Sequence, residues 1–290
     1  MTKRYFTIGS EWLYYKLYMG SKTSEDFLIN VLEPNAETLI KDGLIDKWFF
    51  INFNDPGRHI RVRFHLMEKP GNFEKLVLRI NELLAPYVSD RVLHEVMAGT
   101  YKRELERYGT HTIEEFETLF FLNSKLIVKM LSLCVDDQEK RWLFGMKAID
   151  HILNDWQVDD FSKKDFFESL KTSFAAEMGA TSAILKQLSN KYRANRKQIE
   201  SYMTEEPPEL AELLSEHSEA SRPTIDSILR KKQDQFLSNT VVDVLESYTH
   251  MHFNRLFSSK QRMNEWVLYD FLHQYYRSKI ARDKQKIKKV

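Results

Sequence analysis

The sequence contains one cysteine, Cys134, which lies in an apolar run. A disulfide framework is therefore excluded, and a lone cysteine in this setting is usually a small core residue. The chain also lacks a basic start followed by an apolar run, which is the pattern of a signal peptide. No apolar stretch approaches the length that spans a bilayer. We therefore expect a cytoplasmic protein with no membrane span.

An excess of charge of one sign is also missing. The 43 basic and 42 acidic residues give a formal net charge of +1. A general nucleic-acid-binding protein usually shows a marked basic excess, so direct binding of nucleic acid is not expected. The 290 residues are 42% hydrophobic and include 19 Phe and 13 Tyr, which is enough to bury a substantial core.

Several motifs that carry known chemistry are absent as well. There is no HExxH, no paired CxxC and no EF-hand loop, so no metal site is predicted. We find neither a P-loop nor a dinucleotide fingerprint, and therefore expect no cofactor. The absence of GxSxG, together with the single cysteine, gives no support for a covalent nucleophile.

The first 110 residues mix strand-like and helix-like segments. An aromatic run at 12–18 predicts a strand, and helices are predicted at 21–32, from Pro34 to near Gly43, and at 73–87. The runs 45–53 and 59–66 flank the turn sequence Asn-Asp-Pro-Gly and predict a β-hairpin. A further extended segment is expected before Arg103.

Residues 111–290 have the 3.6-residue periodicity of helices, with few glycines and prolines. We predict helices at 112–134, 137–155, 162–176, 181–202, 207–216, 223–238, 240–258 and 262–286. The prolines between Ser201 and Pro223 predict a loop-rich break. The expected fold class is α+β, with a small antiparallel sheet and helices in the N-terminal part and a mostly helical C-terminal half. We expect a single domain over residues 1–290, with a mixed part at 1–110 and a helical part at 111–290.

The strand at 59–66 carries a row of cationic side chains. Because residues two apart share a face, His59, Arg61, Arg63 and His65 lie on the face opposite the apolar residues of the same strand. Successive members of this row are roughly 6.6 Å apart. A solvated face with local salt bridges would show the same pattern. Arginine at both central positions favours an anion site, because its guanidinium binds a carboxylate through two hydrogen bonds.

Two further clusters contain residues with chemical potential. In the segment YKRELERYG, Glu104 and Arg107 lie three residues apart and would share a face of a helical turn, where a local ion pair is equally expected. In the segment HMHFNRL, His250 and Asn254 lie four residues apart on a predicted helix and can hydrogen-bond side by side.

Taken in order, these segments resemble a known family. WLYYKLY, IDKWFFINFNDPGRHIRVRFHL, YKRELERYG and SYTHMHFNRLF are together similar to the C-terminal glutamate-elimination domain of class I lanthipeptide dehydratases, also called the thiopeptide-type bacteriocin biosynthesis domain. The resemblance covers roughly residues 12–275. Two positions depart from the family pattern. Thr110 stands where a second glycine is usual, and Asn123 precedes Ser124 where an aspartate is common.

The resemblance implies a lyase that acts in the biosynthesis of a ribosomal peptide natural product. In that family, glutamate from glutamyl-tRNA is attached to Ser or Thr of a precursor peptide. The elimination domain then removes the glutamate and leaves dehydroalanine or dehydrobutyrine. By match to the family motifs, the expected catalytic residues are Arg63, Arg107, His250 and Glu104. The expected substrate-binding residues are Arg61, His59, Asn254 and Arg255.

Physical reasoning supports these roles. A glutamyl ester keeps a free carboxylate, which Arg63 and Arg61 could bind. A histidine can remove the Cα proton near neutral pH, and Arg107 could stabilise the charge that develops. Glu104 would orient an arginine or take part in proton transfer.

Two other functions remain open at this stage. Related free-standing proteins form a pyridine ring from two dehydroalanines by a formal cycloaddition, and a non-catalytic module could recruit the precursor. The expected partners are the glutamylated precursor peptide and a separate glutamylation-domain protein. A homodimer is also possible.

Overall fold

The computed structural model describes residues 2–233 and 240–287, and it contains a four-stranded antiparallel sheet and a two-stranded one. The four-stranded sheet has the order β3-β4-β2-β5, and β1 pairs with β6. The strands are β1 (Tyr5–Phe6), β2 (Trp12–Tyr18), β3 (Ile45–Phe53), β4 (His59–Leu66), β5 (Glu95–Gly99) and β6 (Tyr101–Lys102). The predicted hairpin and first strand are confirmed, and β5 and β6 form the extended segment expected before Arg103.

Strand β4 has the two faces that its alternation predicts. Ile60, Val62, Phe64 and Leu66 are all buried on one face. The opposite face of the sheet carries the cationic row, with Arg63 between Tyr14 of β2 and Phe49 of β3. This second face is largely covered by protein rather than open to solvent, because His59 and Arg63 are both buried.

The N-terminal helices differ from the prediction at Pro34. One helical stretch comprises α1 (Ser21–Phe27), a π-helical turn (Leu28–Leu32) and α2 (Glu33–Lys41), and it continues through the expected break. Pro34 lies directly after the π-helical turn, where the regular bonding ladder is already interrupted, so its missing N–H does not end the helix. The third helix, α3 (Asn72–Ser89), follows β4 as predicted.

The rest of the described chain is helical. Its helices are α4 (Leu105–Tyr108), α5 (Ile113–Leu133), α6 (Gln138–Asp155), α7 (Asp160–Glu177), α8 (Ser182–Thr204), α9 (Pro208–Gln233), α10 (Val241–Leu256) and α11 (Gln261–Ile287). The α+β fold class is thereby confirmed. Buried residues of the sheet and of the helices belong to one continuous hydrophobic cluster.

The break predicted between Ser201 and Pro223 is limited to residues 205–207, between α8 and α9, and the rest of the stretch is helical. A single helix, α9, runs through Pro223, where two helices were expected at 207–216 and 223–238. A buried stripe at helical spacing continues across the proline, and it consists of Leu210, Leu214, His217, Ser221, Ile225 and Ile228. This burial outweighs the roughly 3 kcal/mol that an interior proline costs a helix. Residues 234–238 of the second predicted helix lie outside the described residues.

Helices α5 and α10 close the outer edge of β3. At Phe50, the N–H donates to Ser124 Oγ over 3.3 Å, and the carbonyl accepts from Arg255 Nε at 2.8 Å. At Asn52, the N–H donates to Asn254 Oδ1 at 2.9 Å, and the carbonyl accepts from Asn254 Nδ2 at 3.0 Å. Side chains therefore satisfy four backbone groups that an edge strand would otherwise leave unpaired.

Within the described ranges, no helix is both long enough and apolar enough to cross a membrane. The same residues contain no group of three or more His, Cys, Asp or Glu side chains that could hold a metal ion. Cys134 is a buried free thiol, as the sequence predicts.

Candidate active site

A small cavity lies between β3, β4, the segment 101–108 and α10. We call it the arginine pocket, because the guanidinium-bearing side chains of Arg63 and Arg255 both line it. Its volume is about 40 Å³, which is room for roughly three water molecules. The other residues that line it are Phe49, Ile51, Tyr101, Lys102, Glu104, Tyr108, Ile113, Phe120 and Met251.

Arg63 is held in this pocket by aromatic rings. Its Cζ lies 4.7 Å from the ring centroid of Tyr14, 4.9 Å from that of Tyr101 and 5.1 Å from that of Phe49. The side chain is buried, and its Nε and Nη1 have no hydrogen-bond partner among the residues that the structure describes. Burial lowers the pKa of Arg63 from its ordinary value. The arrangement leaves a fixed cation of which two nitrogens, Nε and Nη1, donate no hydrogen bond to the described residues.

The other members of the cationic row do not enter this pocket. Arg61 donates from Nε to His59 Nε2 at 3.0 Å, and its Cζ lies 3.3 Å from the ring centroid of Phe53. His59 contacts the carbonyl of Gly57 through Nδ1 at 2.7 Å, and burial lowers its pKa. His65 Nδ1 lies 2.6 Å from Asp46 Oδ1. The side chains of the row therefore lie in three separate environments. Arg61 and Arg63 are not arranged around one common ligand site.

Arg255 differs from Arg63 because its hydrogen bonds are made. Besides the bond to Phe50, its Nη1 donates to Asn123 Oδ1 and to the carbonyl of Met251, each at 3.2 Å. Burial lowers the pKa of Arg255 to about 10. Arg255 therefore joins α10 to the sheet through hydrogen bonds, and it also lines the arginine pocket.

One buried carboxylate, that of Glu117, holds the segment 101–108 in place. Glu117 accepts from Arg103 Nε and Nη2, both at 2.7 Å, and from the hydroxyl of Tyr101 at 2.9 Å. Glu104 is the N-cap residue of α4 and forms the predicted ion pair with Arg107, with 3.2 Å between Oε2 and Nε. Glu104 lines the pocket, and the Glu104 and Arg107 side chains are both more than half exposed.

His250 lies in a second and larger cavity, which we call the His250 cleft. Its volume is about 960 Å³. It is lined by His250, Asn254, Ser21, Asn52, Phe53, Asn54, Arg58, Met178, Phe257, Ser258, Ser259, Lys260, Gln261, Arg262 and Met263. The cleft and the arginine pocket share β3 and α10 as walls, because neighbouring residues of these two elements line one cavity or the other.

A buried carboxylate orients His250. Its Nδ1 lies 2.8 Å from Glu265 Oε1, and Glu265 is fully buried and also accepts from the hydroxyl of Tyr269 at 2.6 Å. In the tautomer in which Nδ1 donates to this carboxylate, Nε2 is the nitrogen that can accept a proton. Glu265 was not found from the sequence, because it belongs to the next helix and only the fold brings it to His250.

Asn254 has a structural position, although the sequence predicted substrate binding. Both atoms of its side-chain amide are engaged by the backbone of Asn52. The side chain of Asn52 in turn donates to the carbonyl of Asn254 at 2.7 Å. Asn254 thus borders the cleft while its polar atoms are already used to join α10 to β3.

The two departures from the family pattern cause no local disruption. Gly109 has a φ of 78°, which favours glycine, whereas Thr110 is not among the residues with positive φ. Asn123 accepts from Arg255, and its Nδ2 lies 2.8 Å from Nδ1 of the buried His252. The backbone at 110 therefore accepts a threonine, and an asparagine at 123 keeps a hydrogen bond to Arg255.

Comparison with known proteins identifies relatives over nearly the whole chain. A family model described as "Lantibiotic biosynthesis dehydratase C-term" matches residues 12–276. The chain is 25% identical to the nisin biosynthesis protein NisB of Lactococcus lactis subsp. lactis over 273 residues, which cover 90% of this chain and 25% of NisB. It spans about a quarter of the length of the curated relatives that it matches.

Solved structures show the same fold. The tRNA-dependent lantibiotic dehydratase MibB from Microbispora sp. 107891 is 18% identical, with a TM-score of 0.71 over 92% of this chain and 28% of MibB. The pyridine synthase TbtD from thiomuracin biosynthesis is 12% identical, with a TM-score of 0.67 over 92% of this chain and 99% of TbtD.

Proposed function

Because the chain belongs to the family of lantibiotic dehydratase C-terminal domains, we propose that it eliminates glutamate from glutamylated Ser and Thr residues of a precursor peptide. The observation that carries this proposal is the buried guanidinium of Arg63 at the wall of a cavity, where its Nε and Nη1 have no hydrogen-bond partner in residues 2–233 and 240–287. A carboxylate is the natural ligand of such a group. The substrate keeps one free carboxylate on the glutamyl group that is to leave.

The reaction needs a base and a group that stabilises the negative charge on the departing glutamate. The base removes the proton from Cα of the modified residue, the electrons form the Cα–Cβ double bond, and the bond from Cβ to the ester oxygen breaks. Glutamate leaves as a carboxylate, and dehydroalanine or dehydrobutyrine remains. His250 is the proposed base, because it lines the His250 cleft and its Nδ1 is paired with the buried Glu265, which leaves Nε2 as the nitrogen that would take the proton.

Two arginines supply positive charge in this proposal. Arg63 binds the carboxylate of the glutamyl group within the arginine pocket. Arg107 stabilises either the developing enolate or the departing carboxylate as fixed positive charge. Glu104 supports this role, because it pairs with Arg107 and also lines the arginine pocket.

The substrate would extend across both cavities. Phe49 and Ile51 line the arginine pocket, whereas Asn52 and Phe53 line the His250 cleft, so the two cavities follow one another along β3. We propose that the peptide backbone occupies the cleft and that the glutamyl side chain reaches into the pocket. Arg61, which stacks on Phe53 of the cleft wall, is the proposed substrate contact between the two.

The proposed partner is therefore the glutamylated precursor peptide. The family model accounts for residues 12–276 of the 290. We accordingly assign the glutamylation step to a protein region outside these 290 residues.

Incubation of the protein with a glutamylated peptide, followed by mass spectrometry, tests the function. The wild-type chain should release glutamate, and Arg63→Ala or His250→Ala should leave the glutamylated peptide unchanged. His151→Ala is the matched control, because His151 is also a partly exposed histidine paired with a glutamate, Glu206, at 3.3 Å. Full dehydration by either the Arg63 or the His250 variant would contradict the scheme.

The likeness of the fold to TbtD makes cycloaddition the second candidate. A peptide that already contains two dehydroalanines separates the two reactions. Formation of a pyridine-containing macrocycle from that peptide, without glutamate release from the first, would favour the cycloaddition. Binding of the precursor with no change in mass would indicate a recruitment module.

A further inference from the structure

We infer that Tyr108 is a ligand-binding residue of the arginine pocket, and that its hydroxyl donates a hydrogen bond to the carboxylate that Arg63 binds. The identity of that carboxylate as part of a glutamyl group rests on the proposed function. The presence of a carboxylate site with these donors rests on the geometry of the pocket.

The first observation is the position of Tyr108. It lines the same cavity as Arg63 and Arg255 and is 2% exposed. Its ring is fixed, because its centroid lies 4.9 Å from that of Phe116 and 4.9 Å from that of Phe120. The hydroxyl therefore has a defined place before any ligand binds.

The second observation is that this hydroxyl has no partner within the described part of the chain. Nearly all buried polar groups in proteins are hydrogen-bonded, and leaving one unsatisfied costs stability. Here the unsatisfied hydroxyl and the two unsatisfied nitrogens of Arg63 belong to side chains of one small cavity. Two orphan groups on side chains that line one cavity favour a ligand over a packing defect.

The chemistry of these groups specifies the ligand. Burial, together with the nearby Glu104, raises the pKa of Tyr108, so its hydroxyl stays protonated and can donate at neutral pH. Arginine offers donors only. A ligand that satisfies both must supply several acceptor lone pairs and a negative charge, and a carboxylate meets this requirement. A primary amide meets it less well, because one of its two polar atoms is itself a donor.

Titration calorimetry with L-glutamate, the released product, tests the inference. Tyr108→Phe removes only the hydroxyl and should weaken glutamate binding about 10- to 100-fold, the effect of one hydrogen bond to a charged group. L-glutamine is the matched ligand, with a neutral side chain of the same shape. The wild type should prefer glutamate to glutamine, and Tyr108→Phe should reduce that preference.

Tyr248→Phe is the matched protein control. Tyr248 is also buried and stacks on Phe120, but its hydroxyl already donates to the carbonyl of Leu119 at 3.2 Å. Its loss should lower the melting temperature and leave glutamate affinity unchanged. Tyr108→Phe should leave the melting temperature equal or higher, because it removes a group that has no partner. The two variants therefore differ in both readouts.

The outcomes separate this inference from the proposed function. Equal glutamate affinity in the wild type and in Tyr108→Phe would overturn the role of Tyr108. No binding of glutamate to the wild type, with elimination still active, would also overturn it and leave the proposed function standing. Tight binding that depends on Tyr108, without any elimination, would refute the proposed function and retain the carboxylate site. If elimination occurs, Tyr108→Phe should raise KM more than it lowers kcat, since a ground-state contact is lost.

Discussion

Replacing Arg63 with methionine should make the protein more stable while removing its activity. Arg63 is a buried cation with two nitrogens that lack partners in the described chain, and its pKa is lowered by burial. Evolution retains such a residue when function needs it, at the expense of stability. Methionine has a similar length and no polar N–H group, so it removes the uncompensated charge and still fills the space between Tyr14, Phe49 and Tyr101.

The magnitude follows from two opposing effects. Each unsatisfied buried donor costs about 1–3 kcal/mol, and replacing buried charged groups by apolar ones is often worth about 1–4 kcal/mol. Against this, the loss of cation–π contacts costs about 0.5–2 kcal/mol each, offset in part by sulfur–aromatic contacts of about 0.3–1.5 kcal/mol. At mid-range values the two unsatisfied donors cost about 4 kcal/mol, whereas the three cation–π contacts, less the sulfur–aromatic offset, are worth about 3 kcal/mol. We therefore expect the free energy of unfolding to rise by about 1 kcal/mol, which corresponds to about 2 °C in Tm.

Urea and thermal unfolding, each measured with and without L-glutamate, provide the assay. Ligand at about 100 times its Kd stabilises a folded protein by roughly 2.7 kcal/mol. The wild type should gain this stabilisation, and Arg63→Met should gain none. If the variant unfolds more easily than the wild type by over about 1 kcal/mol, the aromatic cage makes Arg63 a structural residue and the reasoning fails.

Arg255→Met is the contrasting variant from the same pocket. Its guanidinium donates to the carbonyl of Phe50 and to Asn123, so methionine would leave both acceptors unpaired. We expect a loss of about 2–4 kcal/mol, opposite in sign to the change at Arg63. A gain in stability for both variants would mean that buried charge alone, rather than missing partners, decides the effect.

Other measurements test the scaffold around the site. Asn254→Ala removes both bonds to the backbone of Asn52 and should lower the free energy of unfolding by about 2–4 kcal/mol in urea titrations. Glu117→Ala leaves the buried Arg103 without its carboxylate and should cost about 3–5 kcal/mol by the same method. Burial lowers the pKa of His252 to about 3 and that of His217 to about 4. The unfolded chain therefore binds these protons more readily, and stability should fall by about 1.4 kcal/mol per pH unit for each histidine as pH drops below about 6.5. His217→Phe should reduce that slope by up to about 1.4 kcal/mol per pH unit in unfolding experiments between pH 6.5 and 5, and an unchanged slope would contradict the assignment.

The strands could be predicted from the sequence because their signals are local. Alternation fixed the bounds of β4, and the Asn-Asp-Pro-Gly turn fixed the hairpin with β3. Most helices could likewise be predicted from their 3.6-residue periodicity. The helix through Pro223 could not be predicted, since its continuity depends on burial against α5 and α6 rather than on the preference of proline.

The site was only partly predictable. Spacing shows that Arg61 and Arg63 share a face, but it does not show that one stacks on Phe53 while the other lies among three rings. The partner of His250, Glu265, comes from another helix, and no pattern in the sequence joins them. Asn254 illustrates the reverse case, because a residue with suitable chemistry proves to be occupied by the backbone of the sheet.

The closing of the β3 edge by α5 and α10 bears on self-association. An amide side chain presents the same donor and acceptor as a peptide group, so Asn254 occupies the place that a strand from a second molecule would take. Among the residues that the structure describes, β5 is the other edge strand of this sheet, and it is the edge at which intermolecular pairing would take place. Replacing Asn254 would also expose the β3 edge to strand addition. We expect this change to cause concentration-dependent aggregation before any loss of secondary structure.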